Sequence, residues 1–368
     1  MGMALVAGSK IGYYNGNPAT LTEDCQLLRP TIFPSVPRLY TRIYSTIKQK
    51  FGALKGCTAW IANKGVQSKT QALLATAATT NSCYDMLVFN KLKALLGGQV
   101  EYMVTGSAPI DMEVLNFMKV CFCCPLMEGY GLTESSGATT LTASNDPVAG
   151  HVGGPLGCTK LRLKSVPEMN YNITDKPYPR GEVMIKGANV TAGYFKAEKL
   201  TADAFDNEGW FCTGDIGRVY PNGSLAIVDR VKNIFKLSHG EYIAPEKLEN
   251  VFVLAPLVAQ VFIHGDSDKN SIVGIVAPEE GPLKHWAKEN NKTDDISVLV
   301  NDPDVIKAVK DQMMALAIQN KFTGLEKCNE ITLTADPFSV ENDILTPTFK
   351  LKRHVAREVY KNEIAKMY

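Results

Sequence analysis

Four acidic and basic side chains stand close together in the sequence near residue 220. Asp215 ends a Thr-Gly-Asp turn, a Pro-Asn-Gly turn occupies residues 221–223, and an aliphatic run over 225–228 leads to Asp229, Arg230 and Lys232. Asn-Gly between apolar flanks signals a hairpin, because both residues tolerate positive φ. The spacing predicts a two-stranded ribbon with Asp215 and the Asp229-Arg230 pair at neighbouring ends. An ionised carboxylate only accepts hydrogen bonds and a guanidinium is always charged, so the pair suits a ligand carrying both hydroxyls and phosphate. A surface hairpin with a structural ion pair fits the same residues.

A second turn carries ligand-type groups. An apolar run over 120–127 leads into Glu128-Gly129-Tyr130-Gly131-Leu132-Thr133-Glu134. Glycines, lacking Cβ, let backbone approach a flat or phosphorylated ligand closely. Tyr130 offers a ring to stack on, Thr133 a hydroxyl, and Glu134 an oxygen ligand for a hard cation such as Mg2+. Taken alone, the segment also reads as an ordinary loop.

These groups need elements to hold them. Residues 1–20 are glycine-rich and strand-like, with a turn at Asn15-Gly16-Asn17-Pro18; 27–33 reads as a short buried strand and 34–37 as a rigid link. Leu39, Ile43, Ile47 and Phe51 recur at helical spacing, which predicts an amphipathic helix over 38–51. Residues 56–98 are alanine-rich and largely helical. A strand over 100–105 runs into Gly106-Ser107-Ala108-Pro109, followed by a helix over 111–119. The run 120–127, with Cys121, Cys123 and Cys124, reads as a buried strand carrying reduced thiols. Alternating strand, glycine turn and helix predict an α/β domain. Beyond Lys232, a helix over 246–254, strands over 258–264 and 272–278 and a basic C-terminal helix predict a small α+β domain, dividing the chain into 1–231 and 232–368.

Composition narrows the field. The 368 residues can bury a large core, and a net charge of +1 gives no pull toward nucleic acid or anionic lipid. Nine scattered cysteines include the spacing Cys121-x-x-Cys124, but no second pair or nearby His completes a zinc site. No apolar run approaches the roughly 18–20 residues of a membrane helix, and no Gly-x-Ser-x-Gly elbow marks a serine hydrolase. The reading is a soluble, intracellular protein of a reducing compartment. The Asn-x-Ser/Thr sequons at Asn172, Asn189, Asn222 and Asn291 then read as chance matches.

Gly106-Ser107-Ala108-Pro109, Tyr130-Gly131-Leu132-Thr133-Glu134, Thr213-Gly214-Asp215 and Asp229-Arg230 stand in the order shown by adenylate-forming enzymes, which this sequence resembles. Residues 209–232, Lys236-Leu237-Ser238 and 240–247, with Val36-Pro37-Arg38-Leu39 and Leu345-Thr346-Pro347-Thr348, are similar more narrowly to long-chain fatty acyl-CoA synthetases. The resemblance implies an α/β fold: an incomplete large domain of sheets flanked by helices plus a β-barrel-like part, then a small mobile α+β lid. It implies an AMP-forming acid–thiol ligase of lipid metabolism. A long-chain fatty acid attacks the α-phosphorus of ATP, and CoA then displaces AMP from the acyl-adenylate. The carboxylate nucleophile needs no base, so the barrier falls through positioning and charge stabilisation.

By the same resemblance, Gly106, Ser107, Ala108, Glu128, Gly129, Tyr130 and Gly131 line the adenine and α-phosphate pocket. Thr133 and Glu134 hold α-phosphate and Mg2+, Asp215 accepts from both ribose hydroxyls, and Arg230 reaches the ribose and phosphate side. Lys232 marks the hinge. Lys350 points at the α-phosphate in one lid pose, and the loop with Gly240, Glu241 and Tyr242 shapes the CoA channel in the other.

Departures carry their own expectations. The Ser/Thr-Gly-rich phosphate loop of the family has no match, so the chain reads as the C-terminal part of a longer enzyme, with unpaired strand edges and exposed core. Val219 stands where the family signature has Trp, which bears on the acyl site. Two function classes stay open: the ligase, or a catalytically deficient fragment that binds nucleotide or acyl-adenylate. The family's membrane association, through N-terminal segments, points to the endoplasmic reticulum or another membrane-associated location with peripheral attachment.

Overall fold

The computed structural model describes residues 6–16, 20–346 and 349–368. Asn17, Pro18, Pro347 and Thr348, parts of two sequence motifs, lie outside the described residues. Strands β1 (Ile32–Ser35), β2 (Tyr102–Gly106), β3 (Leu126–Leu132), β4 (Gly137–Leu141) and β5 (Gly154–Pro155) form one sheet in that order, with β1, β2 and β3 parallel. Strands β6 (Thr159–Lys164), β7 (Arg180–Gly187), β8 (Phe211–Val219) and β9 (Leu225–Arg230) form an antiparallel sheet, again in order. Strands β10 (Phe235–Lys236) and β11 (Tyr242–Ile243) make a short ribbon. The last sheet joins β12 (Val258–His264) and β13 (Val273–Pro278), antiparallel, to β14 (Glu330–Leu333), parallel to β13. This is an α/β fold of several sheets flanked by helices.

The chain divides into two compact units, residues 1–131 with 140–153, and 132–139 with 154–368. In the first, Pro37 opens the helix Pro37–Gly52, a position where its missing N–H would be unpaired anyway. Tyr40 and Ile47, seven residues apart, are buried on one face of it, and the Tyr40 hydroxyl donates to the Phe33 carbonyl at 2.9 Å. Pro34 falls within β1 and not in a link; β1 stands at the sheet's edge, where proline is tolerated. The strand read over 27–33 is in fact the end of the helix Leu21–Leu28, a left-handed Arg29, and the start of β1; Leu27 is exposed. No strand occurs among residues 6–16.

The strand read over 120–127 also divides. The helix Met112–Phe122 takes its first half, Cys123 closes that helix with φ +56°, and β3 starts at Leu126. A run buried on every side has no period to tell helix from strand. The helix start was better marked: Asp111 Oδ1 accepts from the N–H groups of Glu113 (2.7 Å) and Val114 (3.2 Å). Cys121, Cys123 and Cys124 are buried free thiols.

In the second unit, the β-barrel-like part expected from the sequence is an open four-stranded sheet. Closure would require β6 and β9 to pair, and the strand order β6-β7-β8-β9 leaves both at edges. The C-terminal α+β part follows the sequence reading closely. The helix Pro245–Phe252 and the helix Pro303–Gln319 pack Leu248, Phe252, Val309 and Met313 into one core with Ile263 and Val276 of the β12–β14 sheet.

Candidate active site

Within the first unit, β2 and β3 bring two glycine motifs into register. Gly106 lies opposite Gly129, and a Cβ on Gly106 would stand 2.8 Å from the Gly129 carbonyl oxygen. Both lie toward the carboxyl ends of parallel strands, where open α/β sheets bind ligands. Ser107, just beyond β2, has φ +73°, a strained conformation for a residue with a side chain. It is exposed, as is Ala108, whereas Tyr130 and Gly131 are half-buried. Glu128 is different, being buried beneath the motif. Its Oε1 accepts from the Ile110 N–H at 3.4 Å, and its own N–H donates to Thr142 Oγ1 at 2.9 Å. Burial pushes its carboxyl up to about 8, against the opposing pull of the Ile110 N–H and Lys119.

In the second unit, Thr133 and Glu134 occupy a 3-10 turn, Thr133–Ser135. The Glu134 Oε1 accepts from the Tyr194 hydroxyl at 2.9 Å, and its carbonyl accepts from the Thr191 N–H at 2.7 Å. Tyr194 escaped the sequence reading because sixty residues separate it from its partner.

The hairpin forms as the spacing predicts, with Gly223 at φ +81° in the turn. Asp215 on β8 faces Arg230 on β9, and Arg230 Nε stands 3.0 Å from Asp215 Oδ1. The acid is 3% exposed and the guanidinium half-exposed. Thr213-Gly214-Asp215 is not a free turn but a break inside β8. The register slips on both flanks, Gly214 takes φ +69°, and its N–H donates to Glu182 Oε1 at 3.1 Å. Thr213 Oγ1 donates to the Val183 carbonyl at 2.7 Å and accepts the Asp215 N–H at 3.1 Å. Glu182 and Val183 are therefore the unforeseen holders of the motif.

Asp229 turns inward. Its Oδ1 accepts from the Arg230 N–H at 2.6 Å and its Oδ2 from the Glu246 N–H at 3.0 Å, which caps the start of the helix Pro245–Phe252. Burial, then the charge of Glu246, pushes its carboxyl up to about 7. Lys232 is exposed in the turn that leaves β9. The β10–β11 ribbon carries Gly240 at φ +86°, Glu241 whose carbonyl accepts from the Leu237 N–H at 2.9 Å, and Tyr242 whose hydroxyl donates to the Glu168 carbonyl. Lys350 is exposed, and its carbonyl accepts from the Thr346 N–H at 2.8 Å. Among the described residues no cluster of three or more His, Cys, Asp or Glu could hold a metal ion.

Residues 1–195 match the family of AMP-binding enzymes. The chain is 43% identical over 367 residues to long chain acyl-CoA synthetase 7, peroxisomal, of Arabidopsis thaliana, covering 100% of this chain and 52% of that protein. It is 40% identical to long-chain-fatty-acid–CoA ligase 1 of Homo sapiens, covering 99% and 51%. It thus spans about half the length of these curated relatives. Among solved structures, the A domain of carboxylic acid reductase from Segniliparus rugosus, in complex with AMP and a co-purified carboxylic acid, aligns with a TM-score of 0.75 and 28% identity over 97% of this chain and 50% of that one.

Proposed function

The chain belongs to the AMP-binding enzyme family, and on that premise we propose that it acts in the ATP-dependent activation of long-chain fatty acids to acyl-CoA. The observation that carries this reading is the buried Asp215 carboxylate fixed by Arg230 across β8 and β9. A carboxylate is acceptor-only with about four lone-pair directions, the donor-seeking chemistry that a ribose diol matches. The fatty carboxylate attacks the α-phosphorus of ATP, the bond to the β-phosphate breaks and pyrophosphate leaves. The CoA sulfur then attacks the acyl carbonyl and AMP leaves. Arg230, half-exposed, is suited to offset charge on phosphate oxygens. The backbone around Gly106, Ser107, Ala108, Gly129, Tyr130 and Gly131 offers close approach to the nucleotide, with Thr133 beside the α-phosphate; buried Glu128 supports that backbone from beneath.

Glu134 fits Mg2+: a half-exposed carboxylate oriented by Tyr194 is the kind of single protein ligand this ion takes beside phosphate oxygens. When bound, the ion would neutralise phosphate charge. Residues 232–368 are the proposed lid, turning at Lys232, with Lys350 serving adenylation and Gly240, Glu241 and Tyr242 the CoA step. Peripheral membrane attachment belongs to the same reading. Among the described residues no helix is long and apolar enough to cross a membrane.

The test is pyrophosphate release from ATP and Mg2+ by the 368-residue chain, with and without palmitate, alongside AMP binding. Release that depends on the fatty acid and is lost in Asp215→Ala is expected. Folded protein that neither binds AMP nor releases pyrophosphate overturns the reading.

A further inference from the structure

Lys69, Asp85 and Cys123 form a closed cluster in the first unit that adenylation does not use. Lys69 lies in the helix Gly56–Thr76 with 1% of its side chain exposed. An ammonium buried so deeply needs partners. It has the Asp85 Oδ1 at 2.5 Å, the Cys123 Sγ at 3.0 Å and the Phe89 ring centroid at 4.2 Å. The Asp85 Oδ1 is also 3.3 Å from the Cys123 Sγ, and its Oδ2 accepts from the Asn81 N–H at 2.7 Å.

Two backbone irregularities meet here. Residues Asp85–Phe89 form a π-helical turn, a rare conformation frequent at functional sites. Cys123 ends its helix at φ +56°, a place glycine ordinarily fills, and such strain persists where surrounding structure holds it. The side chains that meet at Lys69 Nζ come from these two segments.

We propose that this cluster is a redox site, in which peroxide oxidises Cys123 and Lys69 captures it as a covalent nitrogen–sulfur link. In the first step the Cys123 sulfur attacks one peroxide oxygen. The O–O bond breaks, sulfur is oxidised by two electrons to the sulfenic acid and one water leaves. In the second, the Lys69 amine, its extra proton passed to Asp85, attacks that sulfur. An N–S bond forms, the S–OH bond breaks, and the leaving hydroxide takes a second proton from the nitrogen and departs as water, while Asp85 keeps the first. The only co-reactant is one peroxide.

Access and competition favour Cys123. It retains 9% of its surface, whereas Cys121 retains none and Cys124 3%. Burial raises the Cys123 thiol, but Lys69 opposes that rise; Cys124 is pushed up to about 12 and Cys121 is raised further, so neither supplies a competing thiolate. The link would tie the helix Gly56–Thr76 to the residue that closes the helix Met112–Phe122, just ahead of β3 and its Glu128-Gly129-Tyr130-Gly131 segment.

The experiment treats the full chain with limiting hydrogen peroxide, after the exposed Cys57, Cys83 and Cys158 are changed to Ser. Tryptic mass mapping without reductant is expected to find the Lys69 and Cys123 peptides joined, at about 2 Da below their summed mass, and separated again by dithiothreitol. Cys123→Ser and, separately, Lys69→Arg should each abolish the joined species. Cys123 recovered only as sulfinic or sulfonic acid, or paired with Cys121 or Cys124, or untouched in the otherwise wild-type cluster, would overturn the proposal without reliance on either variant's folding.

Discussion

Glu128 shows how a glycine-rich strand can carry a buried carboxyl. Its carboxyl ionises near 4.5 in an ordinary setting and near 8 in the fold, because burial disfavours the charge. Between those values the folded chain holds a proton that the unfolded chain has lost. Stability therefore falls as pH rises from about 4.5 to about 8 and levels off above. Glu128→Gln should be neutral near pH 4 and stabilising by on the order of a few kcal/mol near pH 8, read from urea unfolding at a series of pH values. An unchanged slope would mean that the carboxyl ionises normally. Asp229, raised to about 7, adds a slope of the same sign, so some pH dependence should remain in the variant. Asp215 is the opposite case, a buried carboxylate beside a half-exposed guanidinium, for which we propose the ribose role. Asp215→Asn should weaken AMP binding roughly 10- to 100-fold, the worth of one or two charge-assisted hydrogen bonds. It should change stability by less than about 1 kcal/mol, because its partner Arg230 is half-exposed. Calorimetric titration with AMP separates the two effects. Equal AMP affinity in both proteins would remove Asp215 from the ribose. Its supports Glu182 and Val183 were invisible beforehand because strand register, not local spacing, brings them in, and the Tyr194 partner of Glu134 because it lies sixty residues away in the sequence.

Elements were legible where a period or a turn marked them and illegible where an apolar run filled a core. The amphipathic helix over 38–51 appears as Pro37–Gly52, and the Asn-Gly hairpin pairs Asp215 with Arg230. The runs at 27–33 and 120–127 each divide between a helix end and a strand start, since burial on all sides erases the pattern that separates the two. Sheet register makes a further demand that glycine alone meets. Gly106 and Gly129 face each other on β2 and β3, and the Gly129 carbonyl oxygen would lie 2.8 Å from any Cβ at Gly106. That neighbour is backbone and cannot rotate away. Gly106→Ala should cost about 1–3 kcal/mol, whereas Gly157→Ala, with nothing within 4 Å of its Cβ, should stay within about 0.5 kcal/mol. Denaturant midpoints of the two variants test the contrast. Equal stability would show that β2 and β3 can part without penalty.

At the scale of the whole molecule, the order of motifs along the chain was readable because each motif is local, and the ties between distant segments of the second unit were not. The Tyr242 hydroxyl reaches the Glu168 carbonyl, Asp229 caps the helix Pro245–Phe252, and Arg353 pairs with Glu249 in that same helix. The first two fasten residues 232–368 to β9 and to the turn between β6 and β7, and the third lies within 232–368 itself. Lys350 takes part in none of the three and is exposed. A flexible ammonium on a proposed lid assists phosphoryl chemistry only while the lid holds it against the α-phosphate, and contributes nothing once the lid turns for the CoA step. Removing it should therefore act on one half-reaction. Lys350→Ala is expected to slow acyl-adenylate formation about 100-fold, the usual effect of losing one electrostatic stabiliser of the transition state. Thioester formation from supplied acyl-adenylate should fall by less than about 3-fold, because no charge at that position is then used. Single-turnover rates of the two half-reactions decide between a pose-specific lysine and a merely solvated one. Equal slowing of both, or slowing of neither, would take Lys350 out of the reaction and leave the lid's contribution to the contacts around Asp229 and Tyr242.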